Sequence, residues 1–164
     1  MGAEQTLKDK GITLPAPGGN AASFVAVKTG NLLFVSGHGP ADDFPTGKLG
    51  RDLTVDEGYA AARSVGLQIL ATVKNAIGDL DKVNRVVKVL GMVNSDPEFG
   101  DQPKVINGCS DLFVEVFGDN GYHTRSAVGF VSCRDTFRSK SKQPSRNQRV
   151  AGARLPASQE RTIA

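Results

Sequence analysis

Tyr122-His123-Thr124-Arg125-Ser126-Ala127-Val128-Gly129 is the stretch on which the reading of this chain turns. A polar turn, Gly118-Asp119-Asn120-Gly121, leads into it, and an apolar run to Val131 leads out. The pattern predicts a strand over residues 125–131, with a lone arginine at its start. An arginine in that position, followed by small residues, offers a planar fork that grips a carboxylate through two parallel hydrogen bonds. The same pattern also fits a surface arginine or an interface salt bridge, and leaves both open.

Outward from this strand, the chain alternates helix and strand signals. Upstream, Asp101 is placed to cap a helix that tolerates Pro103 in its first turn. Ile106, Cys109, Leu112, Phe113, Val116 and Phe117 form its apolar face, and the glycines from Gly118 to Gly121 end it. Cys109 on that face reads as a small core hydrophobe. Before it, residues 83–93 are rich in Val and Leu and predict a strand, closed by the turn Asn94-Ser95-Asp96-Pro97.

Thr54-Val55-Asp56-Glu57 is a capping box. It opens a helix whose Tyr59, Ala62, Gly66, Ile69, Leu70, Val73 and Ile77 recur at three and four, a stripe expected to pack against a sheet. Gly78 is placed to stop it. Residues 23–28 and 32–36 are two short apolar runs across Thr29-Gly30-Asn31, a hairpin signal. Residues 4–10 suit a short helix before a Pro/Gly cluster, and residues 41–53 read as a polar loop. The main order is β-β-α-β-α-β. It predicts an α+β fold in two layers, with two helices on one face of a mixed sheet.

Composition bounds the function. The chain has 164 residues, 39% hydrophobic and 23% charged, as expected of a single globular domain. No apolar run reaches the roughly 20 residues a membrane helix needs, and no signal-peptide pattern opens the chain. Met1-Gly2-Ala3-Glu4-Gln5-Thr6 fits the loose acylation pattern, a match short enough to arise by coincidence. Two cysteines, Cys109 and Cys133, fit a reducing compartment, and the cytoplasm is the expected location. The net charge of +3 is unevenly spread. Residues 1–131 hold twelve Lys+Arg against fifteen Asp+Glu, a net of −3, while residues 132–164 hold eight against two, a net of +6. A nucleic-acid surface would have to lie in the tail.

That tail is a different text. Residues 132–164 lack apolar periodicity and read as a basic, disordered segment, separate from a domain spanning residues 1–131. In codons common to GC-rich genomes, Arg138-Ser139-Lys140-Ser141-Lys142-Gln143 is written CGG-TCG-AAG-TCG-AAG-CAA. Read from the last base of the first codon, this becomes GTC-GAA-GTC-GAA-GCA, or Val-Glu-Val-Glu-Ala, an alternating strand. The same shift turns Ser132-Cys133-Arg134 into a Leu-Pro turn. The hypothesis is a frameshift near codon 131 that replaced a last strand. It fails if the nucleotide sequence contains no single-base shift restoring that strand.

The body carries few chemical motifs. His38 and His123 are far apart in sequence, the cysteines lack ligand spacing, and no metal constellation is predicted. Gly37-His38-Gly39-Pro40 is too sparse for a phosphate cradle, and Ser36 lacks the Gly-x-Ser-x-Gly surroundings of a nucleophile elbow.

In combination, several phrases resemble the Rid family, also called YjgF-like or endoribonuclease L-PSP-like. They are Gly30-Asn31-Leu32-Leu33-Phe34-Val35-Ser36-Gly37, Asp79-Leu80-Asp81-Lys82-Val83, Val105-Ile106-Asn107 and Arg125-Ser126-Ala127-Val128-Gly129. Gly47-Lys48-Leu49-Gly50 and Gln102-Pro103-Lys104-Val105-Ile106-Asn107-Gly108 resemble a subgroup with longer loops. The likeness spans residues 14–131.

The resemblance implies a chorismate-mutase-like fold and a homotrimer with pockets between subunits. It also implies a cofactor-free hydrolase that deaminates small 2-imino or enamino acids to 2-keto acids and ammonia. Arg125 matches the family's substrate-carboxylate arginine, Gly37 a backbone contact of the pocket, and Asn107 an asparagine lining it, with Ser36 beside them. Three positions depart from the family. Ser23 stands where a pocket tyrosine is expected, and Ala127 where deaminases often carry cysteine. The water-orienting glutamate of the last strand falls near Lys140, in the replaced tail. A non-catalytic trimeric ligand-binding protein is therefore a second expectation. A ribonuclease or RNA-binding protein is a weaker third, since the body is acidic and offers no aromatic-basic stacking surface.

Overall fold

The computed structural model describes residues 2–17 and 25–131. The order is α1 (Ala3–Asp9), β1 (Ala26–Thr29), β2 (Leu32–Val35), α2 (Val55–Ile77), β3 (Lys88–Asn94), α3 (Gln102–Phe117) and β4 (Thr124–Phe130). The strand at Ser23 and Phe24, the tail with Cys133, the position near Lys140 and any replaced strand lie outside the described residues.

Local chemistry sets the element ends. Thr54 accepts from the Glu57 amide through its hydroxyl, and Glu57 takes the Thr54 amide proton in return, completing the capping box of α2. Gly78 ends α2 in the left-handed region at φ 83°, where a side chain would be strained. Asp101 is the N-cap residue of α3, but its side chain makes no capping bond. It pairs with Lys104 at 3.0 Å instead. The hairpin forms across Gly30-Asn31, with Thr29 opposite Leu32 and Gly30 at φ 56°.

The strand predicted over residues 83–93 begins later, at Lys88. Residues 83–87 run instead between a 3₁₀ turn, Leu80–Lys82, and the end of α3. Their backbone groups find partners there. The Val86 amide donates to Asn120 O at 2.8 Å, and Val87 O accepts from the amide and hydroxyl of Thr124. Val/Leu richness over residues 83–93 predicts one strand, but the Val86 amide goes to a turn and the Val87 carbonyl to a single residue of β4.

The β3 and β4 strands are parallel, with Val89 opposite Arg125, Gly91 opposite Ala127 and Val93 opposite Gly129. Parallel neighbours need a crossover, and α3 supplies it. Alternate residues face α3: at Gly91, any Cβ would collide with the Ile106 side chain, so a glycine allows strand and helix to approach. The antiparallel β1–β2 pair is a second two-stranded sheet among the described residues.

The core lies mainly between the helices. Leu70 of α2, Leu112 and Val116 of α3, and Leu80 of the 3₁₀ turn are fully buried. Small residues let α2 and α3 close on each other: a Cβ on Gly108 would stand closer than 3.0 Å to the Tyr59 carbonyl oxygen, and one on Gly66 would strike Leu112. The stripe of α2 therefore packs chiefly on α3 rather than on a sheet. Tyr59 corrects the expectation most clearly. It is only half-buried, and its hydroxyl donates to Asp111 Oδ2 at 2.9 Å on the rim of the helix pair. One turn along, Arg63 binds Glu115 Oε2 at 2.6 Å. No helix among the described residues is long and apolar enough to cross a membrane.

Candidate functional site

Arg125 stands on β4 with its side chain turned toward α3. Both bonds of one guanidinium nitrogen, Nη1, go to that helix: to Asn107 Oδ1 at 2.8 Å and to Ser110 Oγ at 3.1 Å. Asn107 and Ser110 are three residues apart, so they share a helix face beside the apolar one. The other edge of the fork, Nε and Nη2, bonds to no protein group among the described residues. No carboxylate pairs with Arg125 there either. The arginine is half-buried, and among the described residues its side-chain partners are two neutral oxygens.

Behind Ser110 stands His123. Its Nδ1 lies 2.6 Å from the Gly121 carbonyl oxygen, and its Nε2 lies 3.1 Å from Ser110 Oγ. Phe113 meets the imidazole edge-on, with ring centroids 6.0 Å apart at 71°. Sequence reasoning singled out Arg125 and Asn107, which the structure joins, and missed Ser110 and His123. A signal was there: His123 and Arg125 are two apart in an extended segment and so face the same side, while Ser110 is one helical turn from Asn107.

Cys109 neighbours this group but takes no chemical part. Burial pushes its thiol up to about 12, with the Arg125 charge opposing only in part, so no thiolate forms near neutrality. Among the described residues, no group of three His, Cys, Asp or Glu is gathered to hold a metal.

Ser36 and Gly37 lie elsewhere, exposed at the end of β2. That corner is pinned to α2. His38 bridges Ser36 O and Thr72 Oγ1 at 2.9 Å each, and Gln68 Nε2 donates to Gly39 O at 2.9 Å. Among the described residues, β2 touches neither α3 nor β4. One chain therefore joins Arg125 with Asn107, and holds Ser36 with Gly37 apart from them.

The family profile described as "YjgF/chorismate mutase-like, putative endoribonuclease" matches residues 11–131. The chain belongs to the YjgF/chorismate mutase-like family. Among proteins of this kind, it is 48% identical over 128 residues to Protein TCP17 of Trypanosoma cruzi, covering 75% of this chain and 80% of that one. Two crystal structures share the fold. One is the protein Atu1372, of unknown function, from Agrobacterium tumefaciens. It is 43% identical, at TM-score 0.72, covering 80% of this chain and 83% of that one. The other is described as a "putative endoribonuclease" from Shewanella oneidensis MR-1. It is 31% identical, at TM-score 0.74, covering 79% and 89%. The YjgF-like fold thus places Arg125, the last residue of the network from Gly121 through His123 and Ser110, on the face of β4 that meets α3.

Proposed function

We propose that this YjgF-like chain is a Rid-type hydrolase acting on small 2-imino or enamino acids. The observation that carries the reading is the Arg125 guanidinium, held at Nη1 by Asn107 and Ser110, with its Nε and Nη2 edge bonded to no group among the described residues. An open, pre-oriented fork suits a planar carboxylate. Holding the carboxylate fixes the adjacent imine carbon. Water adds to that carbon, the nitrogen takes protons, and the C–N bond breaks to give the 2-keto acid and ammonia. The arginine supplies orientation and charge, and the chain's own groups supply this without a cofactor.

The exposed apolar side chains support a homotrimer. Val27 and Phe34 face each other across the hairpin, about 60% and 59% exposed, and Met92 and Val128 do so across β3–β4. Apolar sheet surface of this kind calls for a covering partner. A second copy would also bring a Ser36–Gly37 corner to the Arg125 edge, which one chain does not. The reducing cytoplasm suits such a protein, with its buried free Cys109.

A second reading, carboxylate binding without turnover, draws on the sequence. The family's water-orienting glutamate falls near Lys140, within the basic tail. The endoribonuclease description is less favoured, because residues 1–131 carry a net charge of −3 and would repel a polyanion.

The test follows keto-acid release from an imino acid generated in situ by an amino-acid oxidase, above the spontaneous rate. Wild-type acceleration reduced about a hundredfold or more in Arg125→Ala supports the deaminase. Acceleration unchanged by that substitution sinks it. Saturable binding of a 2-keto acid with no acceleration favours the second reading.

A further inference from the structure

We infer that Ser110 and His123 are positioning residues for Arg125, a hydrogen-bond relay that sets which edge of the guanidinium is presented. The inference rests on the carboxylate-binding reading above and extends it to residues outside that reading. The direction of every bond follows from one fixed acceptor. The Gly121 carbonyl can only accept, so His123 Nδ1 carries the proton that reaches it at 2.6 Å. In the neutral ring, Nε2 is then an acceptor, and the Ser110 hydroxyl donates to it across 3.1 Å. With its proton committed, Ser110 Oγ offers lone pairs, and Arg125 Nη1 donates to it at 3.1 Å. The second Nη1 proton goes to Asn107 Oδ1.

With a neutral ring, each group thus has a single polarity available, and the run of donors starts at the arginine and ends on the Gly121 carbonyl. Without the histidine, the serine hydroxyl could rotate and turn its proton toward the guanidinium, which would repel it. Asn107 alone would leave the fork free to swing about one bond. The relay is also mechanically fixed. Phe113 packs edge-on against the imidazole, and Gly121 approaches the α3 backbone at Phe113 so closely that a Cβ there would collide with it. Helix, turn and strand therefore hold the relay within residues 107–125 of one chain.

The probe is pyruvate, a simple 2-keto acid, titrated calorimetrically into wild type and variants of the full chain. Ser110→Ala removes one hydrogen bond to the charged guanidinium and His123→Leu removes the acceptor that orients the Ser110 hydroxyl, so each is expected to weaken pyruvate about tenfold. The double variant should be no weaker than Ser110→Ala alone, because a relay broken once is broken. His123→Gln keeps a carbonyl acceptor at similar reach and should bind within about twofold of wild type. A merely structural role would show no such rescue and would give additive losses. Arg125→Ala separates the two claims. If it abolishes binding while Ser110→Ala and His123→Leu bind as wild type, the relay is overturned and the carboxylate reading stands. If Arg125→Ala itself binds as wild type, the carboxylate reading fails, and the relay with it.

Discussion

At the scale of single residues, the chemistry depends on shape as much as charge. Arg125 presents a fork whose Nη1 corner is occupied by Asn107 and Ser110, leaving Nε and Nη2 in one plane without a partner among the described residues. Arg125→Lys keeps the positive charge but not the plane, and one ammonium cannot satisfy Asn107, Ser110 and a carboxylate in the same geometry. Pyruvate binding should fall about tenfold or more in this variant, measured by calorimetry; binding equal to wild type would mean that charge alone suffices. A second residue-scale prediction concerns acid. Glu115 is held below its ordinary value of 4.5, first by its hydrogen bond to Arg63 and then by Lys10 at 3.3 Å, against opposing desolvation. A carboxyl depressed in the folded state contributes stability above its unfolded value. That contribution is lost as pH falls through the folded value. Below pH 4.5, the melting temperature of wild type should therefore drop more steeply than that of Glu115→Gln. Parallel curves would show the pair to be a solvated surface contact. Arg125 was legible in the sequence because a lone arginine opening an apolar strand is conspicuous. His123 was legible only in part: its spacing of two from Arg125 puts both on one side, but its partners Gly121 and Ser110 sit on a turn and a helix whose approach to each other that spacing does not reveal.

At the scale of elements, local signals and packing separate cleanly. The capping box of α2 is a purely local device, and it was read correctly from four residues. Thr54→Ala removes one hydroxyl acceptor and should cost about 1 kcal/mol in a denaturant titration. No change in midpoint would mean that tertiary contacts alone hold the first turn. The α2–α3 crossing is a different matter. Gly108 sits where the two backbones touch, so Gly108→Ala should destabilise by about 1–3 kcal/mol by forcing the helices apart. Stability at or above wild type would show that the pair can slide without loss. Residues 83–87 illustrate the limit of pattern reading. Their composition suits a strand, yet the Val86 amide is taken by Asn120 and the Val87 carbonyl by Thr124. Strand assignment depends on partners distant in sequence, whereas a helix carries its own.

For the whole molecule, the two strand pairs expose apolar side chains that the helices cannot reach. Leu90 is 61% exposed on β3, and Phe130 is 40% exposed on β4. In the homotrimer proposed above, a second copy would cover this surface. Sizing this 164-residue chain beside a version with the reading frame restored after codon 131 is the direct test. The restored chain should elute as one larger species, and this chain as a smaller or heterogeneous one. Equal, well-folded species of the same size from both would sink the hypothesis that a strand was replaced at a cost to assembly.

By itself, the sequence determined the helices, the capping box and glycine stop of α2, the hairpin and the position of the arginine, because each depends on neighbours within a few residues. It also marked the break near Ser132, where apolar periodicity ends. Only the tertiary structure decided that the core lies between α2 and α3, that Asn107 and Ser110 meet Arg125, and that Ser36 and Gly37 stand apart from them in one chain. Those facts depend on which distant surfaces touch. Periodicity placed Gly66 on the packing stripe of α2 but did not say what meets it, since a glycine records room for a neighbour without naming it.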